Sequence, residues 1–230
     1  MNKKYSILLA DLDNTLLDFT LSERYAVTKL LSVYGAYDES LPDAYSEFND
    51  SLWKSLEKGE ITREQLIKTR FVEFFRRHGI NGNGADAAAL YEKLLSETAI
   101  WVDGAKELLL DCRGKIKVYI VSNGTARVQL PRIKKSGVDV LTDGYFISEL
   151  IGYNKPDVRY FEKVCASIPG FIPEQALLLG DSLTADIAGG ISFGLDTCLF
   201  DRYGKYKPGG KILPDKVINK LSELYKILDI

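Results

Sequence analysis

Two aspartates two positions apart, Asp11 and Asp13, end a short apolar run in DLDNTL, and two more, Asp181 and Asp186, follow the apolar run ALLL in GDSLTADI. Between them lie VSNG, with Ser122, Asn123 and Gly124, and NKPD, with Lys155 before a proline. Each segment alone has an ordinary explanation. Asp11 and Asp13 can cap a turn, Ser122 or Asn123 can cap a helix, Lys155 can be a solvated charge, and Asp181 and Asp186 can sit at a helix start. Taken together, they would crowd four carboxylates at neighbouring strand ends. Two like charges about 4 Å apart cost roughly 4 kcal/mol at an effective dielectric near 20, so such a cluster needs a cation or a raised pKa. A divalent metal meets that need, and hard oxygen ligands favour Mg2+. The hydroxyl, glycine and backbone N–H groups of VSNG, opening a helix near Thr125, suit an anion.

The elements that must position these residues follow from periodicity. Tyr5 to Ala10 predicts a central parallel strand covered on both faces. From about Leu17 to Thr98 the pattern is helical, with Val27, Leu30, Leu31 and Tyr34 on one stripe and Ile67, Phe71, Phe74 and Phe75 on another. Thr62 and Gln65 have capping-box spacing, and Gly82 and Gly84 with the asparagines beside them predict a loop. After Trp101, strand-like segments at Ile116, Gly144, Ala176 and Asp196 alternate with helical ones, and Lys205 to Gly210 reads as an exposed loop. The expected fold class is α/β, a doubly wound, Rossmann-like parallel-sheet core from residues 1–16 and 100–230. An all-α domain, residues 17–99, is inserted after the first strand. All four chemical segments then follow core strands, where open α/β sheets bind ligands.

Composition narrows the function. With 30 basic and 32 acidic residues and a net charge of -2, the chain gives no global reason to bind nucleic acid polymers or anionic membranes. The lysine-containing start resembles a signal peptide, but Asp11 and Asp13 interrupt its apolar stretch, and no apolar run is long enough for a membrane span. Cys112, Cys165 and Cys198 show no CxxC spacing, which argues against a zinc site or disulfide framework and fits a reducing cytoplasm. His78, beside Arg76 and Arg77, reads as a surface or helix-end residue.

The order DLDNT, Ser122, Lys155 before proline and GDSLTAD resembles the four motifs of the haloacid dehalogenase (HAD) superfamily, and the helical insertion resembles its type-1 cap. The resemblance covers nearly the whole chain. It implies Asp11 as nucleophile, Asp13 as general acid and base, and Ser122, Asn123, Gly124 and Lys155 as the phosphate-binding set, Ser122 and Lys155 also counting as catalytic. It further implies Mg2+ on the Asp11 side chain, the Asp13 carbonyl and Asp181, with Thr15 and Asp186 in support, Asp186 orienting Lys155 or a metal-bound water. Asp13, absent from the superfamily's dehalogenases, favours phosphate-ester chemistry. The stretch Leu52 to Phe71, with SNGTARVQ and ISELIGYNKPD, resembles the bacterial nucleotidase branch that acts on pyrimidine and non-canonical pyrimidine nucleoside monophosphates. An N-acylneuraminate 9-phosphatase or another sugar-phosphate phosphatase is the alternative, followed by a phosphomutase or a non-catalytic phosphate-sensing module. Phe19, Tyr45, Phe48 and Trp53 either stack on a base or fill the insert's core. The expected partner is a small phosphate ester, and the expected assembly a monomer or small homo-oligomer.

Overall fold

The computed structural model describes residues 5–230; Met1 to Lys4, where the signal-like start begins, lie outside the described residues. Strand β1 (Ile7–Ala10) is buried throughout. Its side chains alternate between two apolar clusters, Leu8 and Ala10 in one and Ile7 and Leu9 in the other, as a strand covered on both faces requires. The strand is shorter than its apolar run suggested, because Tyr5 lies just outside the ladder.

Four helices follow: α1 (Phe19–Val33), α2 (Leu41–Glu57), α3 (Arg63–His78) and α4 (Gly84–Ser96). Asp18 caps α1, the Thr62–Gln65 capping box starts α3, and Asn83 caps α4, so Gly84 opens that helix rather than extending the loop. A Cβ on Gly84 would lie 2.6 Å from the Val72 backbone nitrogen, so glycine is what allows α4 to start against α3. The helices bury an apolar cluster of their own, centred on Tyr45, Phe71, Phe74 and Tyr91. Tyr45 stacks on Phe71 at 4.9 Å between ring centroids and meets Tyr91 edge-on at 5.3 Å.

The chain then alternates: α5 (Ala105–Cys112), β2 (Lys117–Ser122), α6 (Ala126–Ser136), α7 (Val138–Leu141), β3 (Gly144–Ile147), α8 (Ser148–Ile151), α9 (Val158–Ala166) and β4 (Ala176–Gly180). A π-helical turn, Leu183–Ile187, leads into α10 (Ala188–Phe193), followed by β5 (Asp196–Phe200), β6 (Lys216–Ile218) and α11 (Leu224–Leu228). The strands form one parallel sheet in the order β3-β2-β1-β4-β5-β6. β6 lies beyond the sequence expectation: three residues at a sheet edge carry too little alternation to register. From β1 the order steps one way to β2 and the other way to β4. That reversal is the switch point where doubly wound sheets open a ligand crevice at their carboxyl ends. Among the described residues no helix is long and apolar enough to cross a membrane.

The helical layer depends on its aromatic centre, since Phe71 packs on Tyr45, Tyr91 and Phe75. Phe71→Ala should cost about 3–5 kcal/mol, read as a lower midpoint in urea denaturation. A midpoint unchanged from wild type would show that the layer does not rely on this stack.

Candidate active site

Asp11 follows β1 directly, its N–H bonded to the Leu179 carbonyl at 2.8 Å, so the carboxylate is delivered at the switch point. Immediately after Asp13 the chain doubles back. Asn14 takes the left-handed conformation, φ 58°, and its Oδ1 accepts from the Thr20 N–H and hydroxyl at 3.0 and 3.1 Å. The Leu16 and Leu17 N–H groups then return to the Leu12 carbonyl. Thr15 is fully buried in this turn, with its hydroxyl unpaired among the described residues.

Ser122 is the last residue of β2. Its oxygen accepts from the Gly124 N–H at 3.2 Å and from Gln129 Nε2 at 2.8 Å, which leaves its own proton free to donate. A Cβ on Gly124 would lie 2.5 Å from the Gln129 amide nitrogen, so glycine admits Gln129 to this spot. The Asn123 side chain is spent otherwise: Nδ2 donates to the Lys155 carbonyl and Oδ1 accepts from the Lys155 N–H, both at 2.8 Å. Asn123 thus braces two loops, and any anion contact from it comes through the main chain.

Lys155, 1% exposed, aims its ammonium at three oxygens: Asp11 Oδ1 at 2.7 Å, the Val121 carbonyl at 2.7 Å and Asp186 Oδ1 at 2.6 Å. Burial opposes that charge, but Asp11 and Asp186 outweigh burial and hold the lysine protonated well above its usual range. A phosphate oxygen at Lys155 would take the N–H now given to Asp11. Asp186 is fixed on its other side by the Ser182 N–H at 3.1 Å, and a Cβ on Gly180 would sit 2.2 Å from its carboxylate.

The oxygens of Asp11, Asp181 and Asp186 all lie within 4.8 Å of one another. Three carboxylates against one ammonium leave an excess of two negative charges. Burial, with Asp186 and Asp13 adding to it against the pull of Lys155, raises the Asp11 carboxyl to about 7. Asp181 opens to the cavity, yet protein crowds its other sides. Burial there, with Asp11 and Asp186 beside it, pushes it well above the carboxylate range. Hard oxygen donors with an unbalanced charge of two suit a divalent cation. Asp13 lends this cluster no carboxylate; its oxygens are taken by Gln129 Nε2, at 2.6 Å, and by the fully buried Arg132. Neither partner stood out in the sequence. The available signal was a polar pair three apart in ARVQLPRI, flanked by Val128 and Ile133, on the helix that VSNG opens.

These residues floor a cavity of about 180 Å³, roofed by Phe19, Trp53, Ile67, Arg70, Tyr91 and Leu95 from the helices. Of the four aromatics singled out, Phe19 and Trp53 reach it. Tyr45 is consumed by the aromatic stack, and Phe48 packs on Phe74 beneath Arg77. Ile67 leaves its predicted core stripe to line the cavity. His78 ends α3, exposed, against the Phe74 ring. Several polar links join the helices to the core, among them two from the end of α2 and the start of α3. Arg63 donates to the Asn123 carbonyl at 3.2 Å and to Ser148 and Asn154, and Glu57 accepts from the Thr184 hydroxyl at 2.6 Å.

Residues 5–194 match the haloacid dehalogenase-like hydrolase family. The HAD-hydrolase YfnB of Bacillus subtilis is 37% identical over 99% of this chain and 97% of its own length. Its magnesium-bound crystal structure, described as revealing interdomain movement, superposes with a TM-score of 0.92 over 99% of this chain and 100% of that one. The pyrimidine 5'-nucleotidase PynA of Streptococcus pneumoniae is 38% identical over 86% of this chain and 84% of its own. The pyrimidine 5'-nucleotidase YjjG of Escherichia coli is 29% identical over 98% of both.

The charge excess has a measurable sign. A carboxyl that titrates near 3.8 when unfolded and near 7 when folded binds its proton more tightly in the native state. Metal-free protein therefore loses stability as pH rises from about 4 to about 7. Asp181 and the buried Glu23 act in the same direction. A divalent cation relieves the ionised form, so the gain in Tm from magnesium over chelator should be larger at pH 7.5 than at pH 5. Equal gains at the two pH values would remove the carboxylate cluster as the metal site.

Proposed function

We propose that this chain, which belongs to the haloacid dehalogenase-like hydrolase family, is a cytoplasmic, magnesium-dependent phosphomonoesterase that works through Asp11 on pyrimidine nucleoside 5'-monophosphates. The observation that carries the reading is the Lys155-bridged carboxylate cluster, with a separately held Asp13 lining the same cavity. The names of PynA and YjjG support the substrate class. Three buried, unpaired cysteines are in keeping with a reducing compartment.

In this reading the Asp11 side chain, the Asp13 carbonyl and Asp181 hold the metal, with Asp186 beside them. Magnesium, when bound, supplies positive charge that offsets the carboxylates and the phosphate. The chain's own groups do the rest. Ser122 donates its free hydroxyl proton to a phosphoryl oxygen, and Lys155 transfers one N–H from Asp11 to another. The freed Asp11 oxygen attacks phosphorus in line as the ester oxygen departs. Asp13, fixed by Gln129 and Arg132, gives its proton to that oxygen. As a carboxylate it then takes a proton from the water that cleaves the aspartyl phosphate, which returns both residues to their starting states. Closure by Arg63 and Glu57 keeps other water out.

Asp11→Asn should leave the fold intact and reduce turnover of every phosphate ester by at least about 1,000-fold, because an amide cannot form the acyl phosphate. Activity that survives in protein freed of wild-type contamination would exclude Asp11 as nucleophile.

Substrate class is decided by a separate panel of deoxyuridine, thymidine, deoxyguanosine and deoxyadenosine monophosphates with N-acetylneuraminate 9-phosphate. The expected pyrimidine preference is about tenfold in kcat/KM, equivalent to roughly 1.4 kcal/mol. Equal rates across nucleotides, or a dominant rate on the sugar-acid phosphate, would overturn the nucleotide assignment and leave the phosphatase chemistry standing.

A further inference from the structure

Arg70 is 5% exposed, yet its Nε has no hydrogen-bond partner. Its guanidinium lies 4.6 Å from the centre of the Tyr91 ring and 5.5 Å from that of Phe71, so aromatic faces shield it. The carboxylate paired with it, Glu92, stands 3.7 Å away, beyond hydrogen-bond distance, and is shared with Arg127 at the same separation. A planar cation with five donors, held in a nearly dry setting, is an expensive arrangement to leave unsatisfied. Arg70 also lines the cavity whose floor holds Asp11 and Lys155, and Glu92 lines it too.

A group bound between floor and roof therefore meets a donor and an acceptor side by side, with Phe19 and Trp53 in the same cavity wall to face a flat ring. We propose that Arg70 is a specificity-determining residue that reads the carbonyl edge of the leaving nucleoside, with Glu92 accepting from the ring N–H next to it. The inference rests on the nucleotidase reading and narrows it: the complementary ligand edge is carbonyl, N–H, carbonyl, as presented by uracil and thymine. Arg70 donates to a ring carbonyl and Glu92 accepts from N3–H. With Arg70 on the C2 carbonyl, cytosine presents an unprotonated ring nitrogen where Glu92 needs a donor and is the poorer match in that register. Arg70 touches no reacting atom in this scheme, so its effect is selective among leaving groups.

The test is a grid of kcat/KM values on the full chain with magnesium. Wild type, Arg70→Met and Arg70→Gln are each assayed on deoxyuridine monophosphate, deoxycytidine monophosphate and phenyl phosphate, whose leaving group has no carbonyl. Arg70→Met should lose about 30-fold on deoxyuridine monophosphate, the order expected for one charge-assisted hydrogen bond. Its loss on phenyl phosphate should be at least tenfold smaller. Arg70→Gln, which keeps an amide donor, should recover part of the difference. A residue that only braced the roof would lower all substrates and the Tm together, so parallel losses across the row overturn the proposal, as does a full deoxyuridine monophosphate rate in Arg70→Met. The wild-type column judges the underlying reading independently. No wild-type advantage of either nucleotide over phenyl phosphate refutes the nucleotidase assignment, whereas an advantage that is undiminished in Arg70→Met refutes only the role of Arg70.

Discussion

The buried ammonium of Lys155 is the interaction that the remaining arrangement depends on. Its partners come from three different parts of the chain: Asp11 after β1, Val121 within β2 and Asp186 in the π-helical turn after β4. A buried charge that loses a partner costs about 3–5 kcal/mol, so the contact holds the ends of three adjacent strands in one alignment. The same lysine leaves the carboxylate cluster short of positive charge by two. A site that were balanced without a cation would have no reason to keep one, and a site without the lysine would crowd three carboxylates with no internal compensation. Glycine at 124 and 180 makes the close packing possible, each at a point where a methyl group would collide with the side chain that does the holding.

Around this floor the molecule separates fixed parts from adjustable ones. The carboxylates sit at strand ends within a sheet whose central strands are buried on both faces. The roof consists of helices with their own aromatic cluster, joined to the rest by polar links at Arg63 and Glu57, by Lys135 on the Glu97 carbonyl, by Arg202 on Asp18, and by the packing of α4 on α6. Val128 of α6 is the apolar exception, buried in the helical cluster although its own helix packs on the sheet. Relative movement of the two layers is therefore opposed both by these polar links and by the apolar packing of α4 on α6.

Most of the architecture was legible in the sequence because burial on both faces writes itself as unbroken apolar runs. ILLA, VYIV and ALLL are such runs, and Thr62 with Gln65 marked a helix start by a local rule that tertiary contacts did not override. β6 escaped notice because an edge strand of three residues has no period to detect. Asp11, Asp13, Ser122, Asp181 and Asp186 line one cavity from their place after buried strands, whereas Lys155 reaches it from the loop beyond α8, which separates it from the edge strand β3. Their hydrogen bonds were not legible. That Lys155 has all three N–H groups engaged, that the Asn123 side chain faces the Lys155 backbone, and that Gln129 and Arg132 hold Asp13 are facts of three-dimensional pairing between residues up to 144 positions apart. Arg63 and Arg70 were equally hidden, since in sequence each is one more arginine on an amphipathic helix.

Leu17 pairs with Trp101 in an isolated antiparallel bridge, and the Asp18 N–H and Val102 N–H groups bond to the carbonyls of Ile100 and Leu16 on either side. The chain therefore leaves the sheet and returns to it through one adjoining pair of backbone segments, 84 residues apart in sequence but neighbours in space. For an evolving lineage this amounts to a standard socket. Everything between the two crossings can be lengthened, shortened or replaced while the ends still meet at the same backbone hydrogen bonds, so the sheet and its strand ends can stay as they are whatever the insert becomes.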